Sequence, residues 1–275
     1  MATIKGTTLK KTDNYSLFWV SDLSEDLKNA IRNRLSEICH GAGSIELGGD
    51  IYCYKSTLKE FLKRYSKKSD DHKKGMIGEL LLHILVLEML DEYAVNSPFF
   101  NTEERHVKKG FDIVLSKKGK NDLWLAESKS GELHAGKNSS QTAVDLINAA
   151  QNDLDRRLNG DSISLWLNAI HGARLAISEN RDDRAAIISL IQNCGSIADR
   201  QEMTSDQINV ILVGTVFSDL SDAVGEENIQ SKYTRVVNSK KFKQVYIIAI
   251  QKNTYKAVYE FLKSESRNEF DIKKN

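Results

Sequence analysis

Hydrophobic positions along this chain alternate between helical spacing and short strand-like runs. The most apolar stretch, residues 73–93, has hydrophobic side chains around almost its whole circumference, which predicts a helix that is buried on most sides. Glu79 is the acid of this helix that we expect to point inward, because the later acids fall on a solvent-facing stripe. Two apolar runs follow at residues 111–115 and 123–126, and the polar turn between them predicts a β-hairpin.

The rest of the pattern predicts elements on both sides of this hairpin. Before the apolar helix we expect a strand at 15–20, a helix at 22–39 capped by Ser21 or Asp22, a short strand at 51–54 and a helix at 58–65. After the hairpin we expect helices at 139–158, 163–176 and 182–192, strands at 207–217 and 245–250, and a closing helix at 255–264.

This order of elements predicts an α/β fold in which a mixed β-sheet is flanked by helices. The two late strands are uninterrupted apolar runs, which suit strands buried on both faces. We divide the chain into an N-terminal α+β extension at residues 1–65 and a main domain at residues 66–275, packed as one compact unit.

Composition narrows the classes of function. The 39 basic and 38 acidic residues leave a net charge of +1, which argues against a protein that coats nucleic acid through electrostatics alone. Any contact with nucleic acid must therefore be local. The three cysteines lack metal-site spacing. Residues 1–13 are polar with no apolar segment of signal-peptide length, and no long uncharged apolar run is present, so we expect a cytoplasmic protein with reduced thiols.

The tripeptide Glu127-Ser128-Lys129 closes the second strand of the hairpin and carries the candidate chemistry. Alternate residues of a strand point to the same face, so the carboxylate and the ammonium lie side by side. If the hairpin is symmetric about residues 119 and 120, Asp112 lies opposite Glu127. Opposed side chains have Cβ atoms about 4.5–5.5 Å apart, where two carboxylates repel unless a cation lies between them.

Acid-x-Lys spacing alone is not specific, because it occurs four times in the chain. A structural interpretation also exists, in which Glu127 and Lys129 form an edge-strand ion pair, Asp112 caps the hairpin and Glu79 bonds His83. That interpretation places three acids and a lysine at buried positions without a purpose. Burying unpaired charge is costly, so we favour a functional site.

A divalent metal explains this combination of residues. Mg²⁺ prefers oxygen ligands and keeps several waters, so Asp112, Glu127 and the carbonyl of Ser128 could hold Mg²⁺, or Mn²⁺ in its place. Lys129 could orient or deprotonate the attacking water, whose pKa the metal lowers. Glu79 would be an assisting catalytic acid or a ligand for a second ion. Either of two glutamines on the following helix, Gln141 or Gln151, could reach the water or DNA, or could be a solvated amide without a role in the site.

Three segments carry a resemblance to known proteins: GELLL at 78–82, GFD at 110–112 and LWLAESK at 123–129. They resemble the PD-(D/E)XK nuclease superfamily and, more closely, the HamA family, the nuclease subunits of the Hachiman anti-phage defence system. The matched motifs lie at about residues 75 to 130, and the flanking pattern fits to about residue 250. Phe111 stands where the superfamily name has proline.

The resemblance implies a restriction-endonuclease-like core and a metal-dependent DNase, with Glu79, Asp112, Glu127 and Lys129 as its catalytic residues. It also implies a partner, a superfamily 2 DNA helicase similar to HamB, which restrains the nuclease and releases it on phage or damaged DNA. Two alternatives stay open. One is a non-catalytic adaptor that regulates a helicase or grips a DNA end, and the other is an RNase.

Overall fold

The computed structural model describes residues 3–100, 110–160 and 162–271. Within these residues, seven strands form one sheet in the order β1-β2-β7-β6-β5-β4-β3. Strands β2, β7, β6 and β5 run parallel to their neighbours in that group, and β1, β4 and β3 pair antiparallel at the two edges. The strands are β1 (Thr7–Lys11), β2 (Tyr15–Val20), β3 (Tyr93–Val95), β4 (Ile113–Lys117), β5 (Trp124–Glu132), β6 (Asn209–Phe217) and β7 (Gln244–Lys252).

Helices cover both faces of this sheet. They are α1 (Glu25–His40), α2 (Ala42–Glu46), α3 (Tyr54–Ser66), α4 (Asp70–Met89), α5 (Ser139–Leu158), α6 (Ile163–Ala176), α7 (Arg184–Asp199), α8 (Glu226–Asn238) and α9 (Lys256–Asp271). One core lies between the sheet and α1, α3, α4 and α9, and a second lies between the sheet and α5, α6, α7 and α8. The predicted α/β fold with a flanked mixed sheet is confirmed, and it is consistent with a restriction-endonuclease-like fold.

The central strands show why their sequences lack a polar face. Every residue of β6 is buried, with Ile211 and Val213 in the α4 core and Val210 and Leu212 in the α5 core. A parallel strand covered by helices on both sides needs apolar residues at every position. The position of β6 at the centre of the sheet therefore explains the uninterrupted apolar run at the start of this strand.

Two helix ends illustrate how local chemistry sets the boundaries. Helix α1 starts after Ser24, whose side chain accepts a hydrogen bond of 3.2 Å from Leu27 N, so the predicted caps Ser21 and Asp22 are wrong. Helix α5 starts after Asn138, which forms a reciprocal capping box with Gln141. The predicted bounds of α5 and α6 agree with the structure.

Other predicted elements differ from the structure. Residues 51–54 are not a strand: a 3-10 turn occupies Asp50–Tyr52, and α3 begins at Tyr54. The apolar helix ends at Met89 rather than at residue 93, because Leu90 leaves helical geometry and the chain turns into β3. The sequence pattern predicts neither the edge strands β1 and β3 nor the helix α8. Short edge strands depend on their partner strand more than on their own pattern.

The first 65 residues contribute directly to the common sheet. Strand β2 pairs in parallel with β7, with Tyr15 opposite Ile247 and Val20 opposite Lys252. The hydroxyl groups of Ser16 and Tyr246, 230 residues apart in sequence, lie 2.8 Å from each other. Residues from the two ends of the chain therefore form adjacent strands of one sheet.

Gly78 marks the closest approach of α4 to the sheet. A Cβ atom at this position would lie 2.8 Å from Ser130 Cβ on β5, closer than side-chain carbons pack. We expect Gly78→Ala to lower the free energy of unfolding by about 1–3 kcal/mol, as overpacked core substitutions do. Urea denaturation measures this difference. Gly75→Ala is the matched control on the same helix, because a Cβ there would meet no atom within 4 Å. Equal stability of the two variants would contradict a tight contact at Gly78.

Candidate functional site

The hairpin register brings the two predicted acids opposite each other. Strands β4 and β5 pair Ile113 with Ala126 and Val114 with Leu125, and Asp112 precedes β4 directly. Continuing this register by one residue places Asp112 opposite Glu127, as the symmetric hairpin predicts. Strand β5 continues to Glu132, whereas β4 begins at Ile113, opposite Ala126. Both acids therefore lie at the place where the pairing of the two strands ends.

Glu127 and Lys129 face helix α5. Leu125 lies in the α5 core and Ala126 in the α4 core, so strand alternation turns the next two odd-numbered side chains toward α5. Lys129 Nζ lies 2.8 Å from Glu127 Oε1 and 2.7 Å from Asp153 Oδ2 of α5. One turn further along α5, Arg157 Nη1 lies 2.8 Å from Glu127 Oε2. We call Asp112, Glu127, Lys129, Asp153 and Arg157 the acidic-edge cluster.

Asp112 is tied to the backbone of the same tripeptide. Its Oδ2 accepts a hydrogen bond of 2.8 Å from the amide of Ser128. In an extended strand the N–H and C=O groups of one residue point to the same side, so the Ser128 carbonyl also points to the β4 side of the strand. Asp112 and the backbone of Ser128 therefore lie on the same side of β5, next to Glu127.

Burial and neighbouring charges shift the pKa values of Glu127 and Lys129. Glu127 is only 2% exposed, and its burial together with the charge of Asp112 raises its pKa, which Arg157 and Lys129 act to lower. Burial acts to lower the pKa of Lys129, but the carboxylates of Glu127 and Asp153 raise this pKa overall. Lys129 is therefore an ammonium ion at neutral pH. In this state it can orient a water or stabilise negative charge.

Asp153 and Arg157 are cluster residues that sequence reasoning missed. Burial acts to raise the pKa of Asp153, but its hydrogen bonds with Lys129 and Arg156 hold this pKa below the usual range. A signal was present: Ala150 and Leu154 belong to the apolar stripe of α5, and Asp153 and Arg157 stand beside that stripe. Polar residues at the margin of a sheet-facing stripe are candidates for any site on that sheet face.

The two candidate glutamines, Gln141 and Gln151, have partners outside the acidic-edge cluster. Gln141 belongs to the capping box at the start of α5. Gln151 is buried and accepts a hydrogen bond of 2.5 Å from Lys232 of α8. The structure therefore uses both glutamines to fix α5 rather than to extend the cluster.

Glu79 lies on the opposite face of the sheet. Its helix α4 packs in the core that contains Ala126, and its neighbour Gly78 contacts Ser130 on that face. Its negative charge contributes to raising the pKa of Cys39 on α1, although burial of Cys39 is the larger cause. The structure thus brings together Asp112, Glu127 and Lys129 but places Glu79 in a different layer. The catalytic role expected of Glu79 stays a prediction.

The oxygen atoms of the acidic-edge cluster are of the kind that a hard cation prefers. No group of three or more His, Cys, Asp or Glu side chains suited to a metal occurs in the part of the chain that the structure describes. Two carboxylates and a carbonyl are nevertheless a sufficient set of protein ligands for Mg²⁺, because this ion retains several of its waters. The chemistry of the oxygen donors suits Mg²⁺ or Mn²⁺ rather than a softer metal.

The fold and the cluster define a class: an α/β protein with acidic and cationic side chains gathered around one buried carboxylate on a strand of a mixed sheet. A comparison with protein families is more specific. The chain belongs to the HamA family, whose sequence model matches residues 4–265. Membership in this family supports a role in the Hachiman anti-phage defence system. No curated protein matches the chain. Among the described helices, none has the length and apolar character needed to cross a membrane.

Proposed function

We propose that this chain is a metal-dependent deoxyribonuclease, the effector of a Hachiman defence system. The observation that supports this most is the placement of Asp112 opposite Glu127, with the Lys129 ammonium bound to Glu127 on the same face. Two acids and a lysine at the edge of a strand form a suitable site for hydrolysing phosphodiesters, and family membership gives the biological setting.

Asp112, Glu127 and the Ser128 carbonyl would hold the Mg²⁺ ion. When bound, the ion supplies a water of lowered pKa and positive charge for the phosphate. Lys129 has three N–H donors, and Glu127 and Asp153 receive two of them. The remaining donor can orient the water or bind a phosphate oxygen as negative charge develops. Asp153 fixes the direction of Lys129 and preserves its charge.

A helicase partner would deliver the substrate. A net charge of +1 provides little general attraction for DNA, so an independent nuclease of this composition would bind DNA weakly. A superfamily 2 DNA helicase similar to HamB would hold the DNA near the cluster. The same partner would restrain the nuclease until phage or damaged DNA is engaged.

Metal removal and Asp112→Asn test this function. We expect the chain with its helicase to degrade DNA in Mg²⁺ or Mn²⁺ and to lose all activity in EDTA. Asp112→Asn should lower the rate about 100-fold or more, because loss of metal binding is worth several kcal/mol. The measurement is the rate of acid-soluble nucleotide release from labelled DNA. Asp206→Asn, at an exposed position, is the control that should keep the wild-type rate.

The same experiment separates the alternatives. A matched RNA substrate that is cut faster than DNA would favour an RNase. A wild-type complex that binds DNA but cuts neither substrate with any divalent ion would favour the non-catalytic adaptor.

A further inference from the structure

Arg157 forms an ion pair with the second oxygen of the buried Glu127 carboxylate. Its Nη1 lies 2.8 Å from Glu127 Oε2, while its Nη2 donates to the carbonyl oxygen of Gly110. The guanidinium carbon lies 5.7 Å from the ring centre of Phe111. The side chain therefore spans from Glu127 to the two residues that precede Asp112.

Both oxygens of Glu127 are thus bound to protein cations. Lys129 holds Oε1 and Arg157 holds Oε2, each at 2.8 Å. Arg157 lies on the side of Gly110 and Phe111, which is also the side of Asp112. A cation shared by Asp112 and Glu127 would have to occupy the space next to this guanidinium.

A guanidinium cannot relieve that conflict by losing its proton, because an arginine side chain stays charged in proteins. A divalent ion beside it would be repelled strongly in a buried place, where charges are poorly screened. Lys129 does not create the same conflict, because Asp153 on its other side offers it a second carboxylate.

We propose that Arg157 is a built-in competitor of the divalent metal, so that its ion pair with Glu127 and metal binding by Glu127 exclude each other. This inference rests on the metal site of the proposed function. In the metal-free protein Arg157 compensates the buried charge of Glu127, and a metal must displace it. The affinity of the site for metal is therefore set lower than its carboxylates alone would give.

The neighbouring arginine provides a matched control. Arg156 is next in the helix and has the same charge, but it pairs with Asp153 rather than with Glu127, and its side chain is 78% exposed. Replacing either arginine by methionine removes one positive charge from the same end of α5. Only the Arg157 variant removes the competitor for Glu127.

The test is a Mn²⁺ titration of the full-length protein without DNA, followed by the electron paramagnetic resonance signal of the free ion. We expect Arg157→Met to bind Mn²⁺ about tenfold more tightly than wild type, a change within the range of close charge pairs. Arg157→Lys, which keeps the charge, should bind much less tightly than Arg157→Met. Arg156→Met should stay within about twofold of wild type, because exposed charges are screened.

A second measurement uses the folded wild-type protein. Addition of Mg²⁺ should shift the Nε–H resonance of Arg157 in a nitrogen–proton correlation spectrum and leave that of Arg156 in place. The resonance is assigned by its loss in Arg157→Lys. An Arg157 resonance that Mg²⁺ does not move would overturn the inference, even if Arg157→Met failed to fold.

The outcomes also separate this inference from the proposed function. If wild type binds Mn²⁺ through Asp112 but Arg157→Met binds no more tightly, the competition is disproved and the nuclease proposal stands. If Arg157→Met binds more tightly but no variant cuts DNA, the competition stands and the nuclease proposal fails. If no form binds Mn²⁺, both fail.

Discussion

Replacing Glu127 by glutamine is expected to abolish metal-dependent DNA cleavage by the helicase complex, with a loss of about 1,000-fold or more. Glutamine keeps the shape of the side chain and removes its negative charge. Glu127 is buried next to the place where Asp112 bonds the Ser128 amide, so the substitution removes a charge from the proposed set of metal ligands. The measurement is the initial rate of DNA degradation in Mg²⁺ and in Mn²⁺.

Glu132→Gln is the control for this variant. Glu132 lies on the same strand, β5, and is also paired with a lysine, Lys74, but its side chain is 54% exposed and lies outside the acidic-edge cluster. We expect this control to cut DNA at close to the wild-type rate. The Glu127 variant must also keep its fold, because Lys129 and Arg157 retain other partners in Asp153 and Gly110. A folded Glu127→Gln protein that cuts DNA at full rate would refute the proposed site.

Replacing Lys129 by methionine is expected to lower the rate of DNA cleavage about 100- to 1,000-fold, the usual cost of removing a positioned donor that stabilises a transition state. The physical reason is the position of the ammonium, which is 2.8 Å from Glu127 and 2.7 Å from Asp153. Lys129→Arg should also be slow, because the larger planar guanidinium does not fit the same position.

A measurement of Mn²⁺ affinity distinguishes the effect of losing Lys129 from the effect of losing Glu127. Lys129→Met removes a positive charge next to the metal ligands, so its affinity for Mn²⁺ should equal or exceed that of wild type while its rate falls. Lys137→Met is the control, because Lys137 pairs with Asp145 at a half-exposed position outside the cluster. Wild-type rates in Lys129→Met, or loss of Mn²⁺ binding in that variant, would show that Lys129 has a different role.

The sequence pattern predicts those features of the site that depend only on residues close together in the chain. The opposition of Asp112 and Glu127 follows from the length of one turn and from the period of two in a strand, which fixes which face each side chain occupies. The bounds of α5 were predictable for the same reason, because its cap and its apolar stripe lie within its own sequence.

Features that depend on distant parts of the chain could not be predicted in this way. Asp153 and Arg157 reach Glu127 only because α5 crosses β5 at a particular angle, and no local pattern encodes that angle. The position of Glu79, on a helix at the other face of the sheet, could not be predicted for a related reason. Its helix is apolar on nearly every side, so the pattern shows that α4 is buried but not which of its sides contacts the sheet.

The pairing of β2 with β7 has a consequence for the order in which the protein can fold. All residues of the acidic-edge cluster lie between positions 112 and 157, but β6 and β7, the strands at the centre of the sheet, come later in the chain. During synthesis β2 must wait for β7 to emerge, since Ser16 and its contact Tyr246 are 230 residues apart. The sheet that buries Glu127 is complete only when β7, which ends at Lys252, has left the ribosome.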